Sequence, residues 1–106
     1  MKLKLNRVAI FCLAASMASP VFAQGSGADT FKSKCALCHG VDGLATTPAG
    51  KALKAASFKD PKVVNASDAV LAIIIKTGKG KMPSFDGKLS DAEIKGVIGY
   101  IRTLEK

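Results

Sequence analysis

The stretch CALCH, Cys35 to His39, constrains this chain more than any other feature of its sequence. It places two thiols and an imidazole within five consecutive residues, and His39 is the only histidine among 106 residues. Three kinds of site use such a cluster: a zinc site, a dithiol or disulfide, and a covalently attached haem. The other ligands that the chain offers, and its destination in the cell, distinguish among the three.

Residues 1–23 have the order of a secretory signal peptide. A basic start that contains Lys2, Lys4 and Arg7 precedes the apolar run VAIFCLAASMA, and small or apolar residues lead to Ala23. The run is shorter than the roughly 20 residues that a membrane-spanning helix needs, which disfavours an uncleaved anchor. We therefore predict cleavage between Ala23 and Gln24, a periplasmic or secreted location, and no stable membrane insertion of the mature chain.

Cleavage at this position would leave a single domain, residues 24–106, with 83 residues. It would remove three basic residues and no acidic one, so the net charge would fall from +8 to +5. Two cysteines, one histidine and one methionine, Met82, would remain. A domain of this size often depends on a metal or cofactor to complete its core. The export signal and the lack of a recognition motif argue against a nucleic-acid partner.

The ligand count separates the three interpretations of the motif. A structural zinc site takes four ligands, and the mature chain supplies three cysteines and histidines, all from one local motif. Reactive Cys-x-x-Cys pairs usually open a helix after a strand, whereas this pair falls near the end of a predicted helix. A plain disulfide would leave His39 without a role. Haem attachment uses every residue, and it predicts thioethers at Cys35 and Cys38 and proximal iron ligation by His39.

The opposite axial position has one candidate in the mature chain. A bis-histidine site within this chain is excluded, and Met82 is the only methionine left after cleavage. It lies in GKGKMPSF, where Pro83 restricts the backbone directly after it. A lone methionine often only fills a gap in a core, but beside a haem its sulfur is a common ligand. We predict Met82 as the distal axial ligand.

Periodicity and capping residues predict helices along most of the mature chain. One is expected over about 28–38, a short one around 51–56, and another after the N-cap Ser67. The clearest follows Ser90, which forms a Ser-x-x-Glu capping box with Glu93. It carries an apolar stripe at helical spacing: Ile94, Val97, Ile98, Ile101 and Leu104. Two glycines in this helix indicate close approach by another helix.

With these motifs the chain resembles the class I c-type cytochromes, and most of all their short monohaem bacterial and photosynthetic members of the c-six kind. CALCHG matches the haem motif of the family, GKGKMPSF its methionine loop, and SDAEIKGVIGYI its C-terminal helix. The resemblance covers nearly all of the mature chain. It implies an all-α cytochrome c fold, with about four short helices wrapped around one covalently attached haem c.

The resemblance also implies particular contacts. Residues expected where the first and last helices cross are Gly27, Phe31, Val97 and Tyr100, with Gly96 or Gly99 allowing the close approach. A carbonyl of the loop around Pro48 is expected to accept a hydrogen bond from Nδ1 of His39, which would orient the ring and tune the metal.

Filled axial positions leave no open site for a substrate, so the chain is expected to carry single electrons between redox proteins as a monomer and not to act as an enzyme. If Met82 does not ligate, the alternative is a haem-based small-ligand binder or a peroxidase-like protein. A non-haem thiol or structural protein is a third class. The lysines near both motifs either steer the protein to acidic docking surfaces on its partners or only keep it soluble: Lys32, Lys34, Lys76, Lys79 and Lys81.

Overall fold

The computed structural model describes residues 26–106; the predicted signal peptide and its cleavage site lie outside the described residues. Within this range the chain forms six helices and no strand: α1 Gly27–Lys34, α2 Ala36–His39, α3 Pro48–Leu53, α4 Pro61–Val64, α5 Asp68–Thr77 and α6 Asp91–Leu104. The all-α class is confirmed. The number of helices exceeds four because α2 and α4 are single turns of four residues each.

Local capping chemistry explains why the two long C-terminal helices begin where the sequence predicts. The hydroxyl of Ser67 accepts a hydrogen bond from the Val70 N–H at 3.1 Å, which starts α5. At α6 the capping box is reciprocal: the Glu93 N–H donates to Ser90 Oγ, and the Ser90 N–H donates to Glu93 Oε1. Both caps satisfy backbone donors that the first turn of a helix leaves without partners.

Two helix boundaries differ from the sequence-based prediction. The helix expected over 28–38 is interrupted at Cys35, where φ is −121° and ψ is −30°, although no glycine or proline marks the break. The short helix expected around 51–56 begins earlier, because Thr47 caps it and Pro48 occupies its first position. It ends at Leu53, before the left-handed residue Lys54.

The first and last helices cross at the expected residues. Gly27 lies so close to α6 that an added Cβ would overlap the carbonyl oxygen of Gly96. The Phe31 ring packs against Tyr100, with 5.3 Å between the ring centroids, and both Phe31 and Val97 are fully buried. Gly99 has no described atom within 4 Å of an added Cβ. α6 therefore comes closest to α1 at Gly96 and not at Gly99, and the glycine that this contact requires is Gly27 on α1.

Arg102 ties α6 to the chain that joins α4 and α5. Its guanidinium donates to the carbonyls of Val63 and Ala66, and it also pairs with the carboxylates of Asp68 at 2.9 Å and Glu105 at 2.7 Å. Its planar fork of donors suits several acceptors at once. This arrangement holds the N-terminal end of α5 against the C-terminal half of α6.

Candidate haem site

The break between α1 and α2 sets the position of the two thiols. The Cys35 N–H closes α1 by donating to the Phe31 carbonyl at 2.8 Å, and the Cys35 carbonyl accepts from the His39 N–H at 3.0 Å. Cys35 and Cys38 are both half-buried, and their thiols are not joined in a disulfide. One turn of helix thus carries both thiols and the imidazole.

Burial affects the chemistry of the first thiol. Desolvation raises the pKa of Cys35 to about 11, so the free side chain is a neutral thiol near pH 7. Cysteines that exchange disulfides have lowered pKa values, because the thiolate is the reactive form. The environment of Cys35 therefore disfavours the dithiol interpretation of the motif.

The His39 ring is held by two contacts from the chain that follows α3. Its Nδ1 lies 2.9 Å from the Ala56 carbonyl, which can only accept, so Nδ1 carries the proton. The Phe58 ring stacks on the imidazole, with centroids 4.8 Å apart and planes 21° apart. Burial lowers the pKa of His39, which favours the neutral ring. A neutral imidazole with Nδ1 protonated leaves the lone pair of Nε2 free for a metal.

The hydrogen-bond acceptor of His39 differs from the one that the resemblance implies. A carbonyl of the loop around Pro48 was expected at Nδ1, but the chain reaches the imidazole only after α3, at Ala56. The reason is that Pro48 is the first residue of α3. The expected hydrogen bond from Nδ1 to a backbone carbonyl exists, and a different segment of the chain supplies the carbonyl.

Met82 lies in a tight turn between α5 and α6. Lys79 and Met82 exchange both backbone hydrogen bonds, at 3.1 and 2.9 Å, across Gly80, whose φ is 58°. The following residues are fixed to the C-terminal end of α5, because the Phe85 N–H donates to the Ile75 carbonyl at 3.1 Å. Met82 itself is half-buried and packs against the core. The turn thus fixes the backbone from which the thioether of Met82 projects.

Two of the four predicted site residues reach one core from different directions. Cys35 from the α1–α2 junction and Met82 from the turn after α5 both pack against the same buried cluster. The donor set consists of two unlinked thiols, a neutral imidazole with a free nitrogen, and a thioether. This set has the chemistry that a covalently attached, six-coordinate haem requires. The residues present therefore fit haem c.

A concave groove lies apart from these residues. A groove of about 420 Å³ runs between α5 and α6, and its apolar lining includes Ala72, Ile73, Ile94 and Ile98. Neither the two cysteines nor His39 nor Met82 lines it. Within residues 26–106, no three His, Cys, Asp or Glu side chains come together as a metal site. Chemistry at the motif therefore does not use this groove.

Comparison with known proteins agrees with this geometry. A family model described as cytochrome C oxidase, cbb3-type, subunit III matches residues 23–101. Cytochrome c6 of Picosynechococcus sp. is 37% identical, over 92% of this chain and 91% of its own. Cytochrome c6 of Leptolyngbya boryana is 38% identical, over 72% and 86% respectively. The solved structure of the KustC0563 c-type cytochrome superposes with a TM-score of 0.70 at 31% identity, and covers 76% of this chain and 99% of that one. The chain belongs to the small monohaem class I c-type cytochromes.

Membership of this family gives the cytochrome one covalently bound haem c with its iron. It also makes the protein an electron carrier and not an enzyme. The helical fold agrees with that of the related c-type cytochrome structure. Among residues 26–106, no helix is long and apolar enough to cross a membrane.

Proposed function

We propose that this cytochrome is an exported, monomeric single-electron carrier. In this proposal Cys35 and Cys38 would form the thioethers to the haem, and His39 and Met82 would supply the two protein ligands of its iron. The observation that carries the ligand assignment is the hydrogen bond of the imidazole: Nδ1 donates its proton to the Ala56 carbonyl, which leaves the lone pair of Nε2 for the iron. The half-buried thioether of Met82, which packs against the core that Cys35 also contacts, would supply the second donor.

The chain's own residues account for the rest of the mechanism. When bound, the haem supplies a couple that takes up and releases one electron. The bond from His39 to Ala56 and the stacked ring of Phe58 hold the imidazole in one orientation. The paired turn at Lys79 and Met82 fixes the backbone from which the Met82 side chain projects. A fixed imidazole and a fixed backbone at Met82 would limit rearrangement when the charge changes, which suits rapid electron transfer.

Visible spectra of the purified holoprotein, oxidised and reduced, test this function. We expect sharp low-spin bands on reduction and a weak long-wavelength ferric band from sulfur ligation. A high-spin ferric spectrum would instead support the alternative, a small-ligand binder or peroxidase-like protein. If the protein is expressed with the haem-attachment machinery present and shows no haem absorption, the result would favour the interpretation of the motif as a plain disulfide.

The export signal belongs to the same proposal and has its own test. We propose that the leader is removed after Ala23 and that the protein works in the periplasm or outside the cell. The intact mass of the exported holoprotein should equal that of residues 24–106 plus one haem. A mass that still includes residues 1–23 would refute cleavage.

The partners are proposed to be redox proteins with acidic docking surfaces. Lys79 and Lys81 are exposed on the turn that carries Met82, and an added Cβ at Gly80 would meet open space. A basic turn next to an axial ligand would attract an acidic surface to the point of electron transfer. The opposite view, that these charges only aid solubility, predicts no effect on rates.

The double variant Lys79→Gln, Lys81→Gln separates the two views. At low ionic strength we expect it to slow electron transfer to an acidic partner on the order of tenfold, because steering accelerates association by about this factor or more. The difference should shrink as salt is added. Lys62→Gln with Lys106→Gln makes the same change of charge on other segments and should have a smaller effect. Equal rates for both double variants would contradict steering by the turn.

A further inference from the structure

The hydroxyl of Thr47 joins the haem motif to α3. It donates to the Leu37 carbonyl at 2.6 Å and lies 3.2 Å from the Cys38 carbonyl. The same oxygen accepts the Gly50 N–H at 2.9 Å. A threonine hydroxyl has one proton to donate and two lone pairs, so this geometry uses it as donor and acceptor at once.

The short length of α2 explains why this bond is needed. The last four carbonyls of a helix lack partners within it, and α2 has only four residues. The carbonyl of Ala36 accepts the Gly40 N–H at 2.8 Å, and that of His39 accepts the Ala45 N–H at 2.9 Å. The remaining two carbonyls, on Leu37 and Cys38, both lie within hydrogen-bond distance of the Thr47 hydroxyl and share its one proton, with the shorter bond to Leu37. Thr47 therefore completes the C-terminal end of α2.

The backbone of α3 also packs closely against the motif at Gly50. An added Cβ at Gly50 would overlap the Cys38 carbonyl oxygen and would lie 2.9 Å from the Ala45 carbonyl oxygen. The first turn of α3 therefore rests directly on the backbone of the motif. The segment 47–56 thus contacts the motif at three places: the hydroxyl of Thr47, the backbone at Gly50 and the carbonyl of Ala56.

We propose that Thr47 is a positioning residue for His39: its hydroxyl fixes the peptide groups of Leu37 and Cys38, from which the imidazole projects. His39 follows Cys38 directly, so movement of that peptide moves the ring relative to Ala56. The strength of the bond from Nδ1 to a carbonyl tunes the electron density on the ligating nitrogen and thereby the reduction potential. The inference rests on the proposed role of His39 as an axial ligand.

Thr47→Val tests the inference, because it keeps the shape of the side chain and removes the hydroxyl. In the reduced holoprotein we expect the Nδ1 proton of His39 to exchange with solvent about tenfold faster, as the loss of one structural hydrogen bond would give. The reduction potential should shift as well. Thr47→Ser retains the hydroxyl and should restore both readouts. Amide protons in α6 serve as the reference for general loss of stability.

Thr46→Val is the matched control, since it makes the same change one residue earlier at an exposed side chain. It should leave the exchange rate and the potential as in the wild type. If Thr47→Val does not incorporate haem, Thr47→Ala replaces it as the variant without the hydroxyl, and its exchange rate and potential are compared with those of Thr47→Ser. Unchanged exchange in the hydroxyl-free variants, relative to α6, would overturn the positioning role. Failure of His39 ligation would show separately, as a wild-type spectrum without the expected low-spin bands.

Discussion

Replacing Met82 with leucine is expected to leave the haem attached while changing the ferric spectrum to a high-spin form. Leucine has nearly the volume of methionine, and the half-buried side chain can keep its packing against the core. The change removes the sulfur and leaves the turn of Lys79 and Met82 intact, since that turn depends on backbone bonds. The reduction potential should fall by on the order of 100 mV or more, because the axial ligands set the haem potential over a range of about 0.8 V.

Optical spectra and a potentiometric titration of the purified variant measure both effects. Met82→His is the informative control, because it offers a different ligand from the same turn. We expect it to stay low-spin and to have a lower potential than the wild type, as the thioether favours the reduced iron. Exogenous imidazole should bind readily to Met82→Leu and poorly to the wild type. A low-spin Met82→Leu protein at the wild-type potential would show that Met82 only fills space and that the distal ligand lies elsewhere.

The parts of the fold that could be predicted from the sequence are those set by local chemistry. The Ser90 and Glu93 side chains close the first turn of α6 within four residues, and Ser67 does the same for α5. Such signals depend on neighbours along the chain, so spacing alone reveals them. The crossing of α1 with α6 was predicted in another way, from the resemblance to a known family.

The two contacts that hold the His39 ring could not be predicted in the same detail. Its hydrogen-bond acceptor is a backbone carbonyl at Ala56, and every residue has a carbonyl, so no residue type marks it. The stacking partner Phe58 is one of few aromatic residues, but nothing in its local sequence relates it to His39. Both contacts depend on where the chain goes after α3. Only the three-dimensional structure contains that information.

The contacts of Arg102, a charged residue, could not be predicted from the sequence either. Its position away from the apolar stripe of α6 suggests an ordinary surface side chain. In the structure it binds two carbonyls and two carboxylates, and only 26% of its side chain is exposed. Its partners on the α4–α5 side lie 34 or more residues away in the sequence. Helical periodicity describes which face a residue occupies, but it does not describe which distant chain segment covers that face.

Gly27→Ala is expected to be the most destabilising single-methyl addition at the crossing of α1 and α6. The added Cβ would overlap the carbonyl oxygen of Gly96 and lie 3.2 Å from the Val97 nitrogen. Both are backbone atoms, which cannot rotate away as the end of a side chain can. The helices would have to separate, and with them the buried contacts of Phe31. We expect a loss of about 2–3 kcal/mol in the free energy of unfolding, at the upper end for overpacked sites.

Gly96→Ala is the matched control on the other side of the same crossing. Its added Cβ would lie 3.7 Å from the Gly27 Cα, an ordinary contact. Replacing a glycine within a helix by alanine stabilises it by roughly 0.5–1 kcal/mol, so this variant should equal or exceed the wild type. Denaturant unfolding of the oxidised holoproteins, followed by far-UV circular dichroism, measures both. The close approach is asymmetric because the two Cα–Cβ directions differ: that of Gly27 points at the α6 backbone, whereas that of Gly96 passes beside α1. Equal effects of the two substitutions would contradict this geometry.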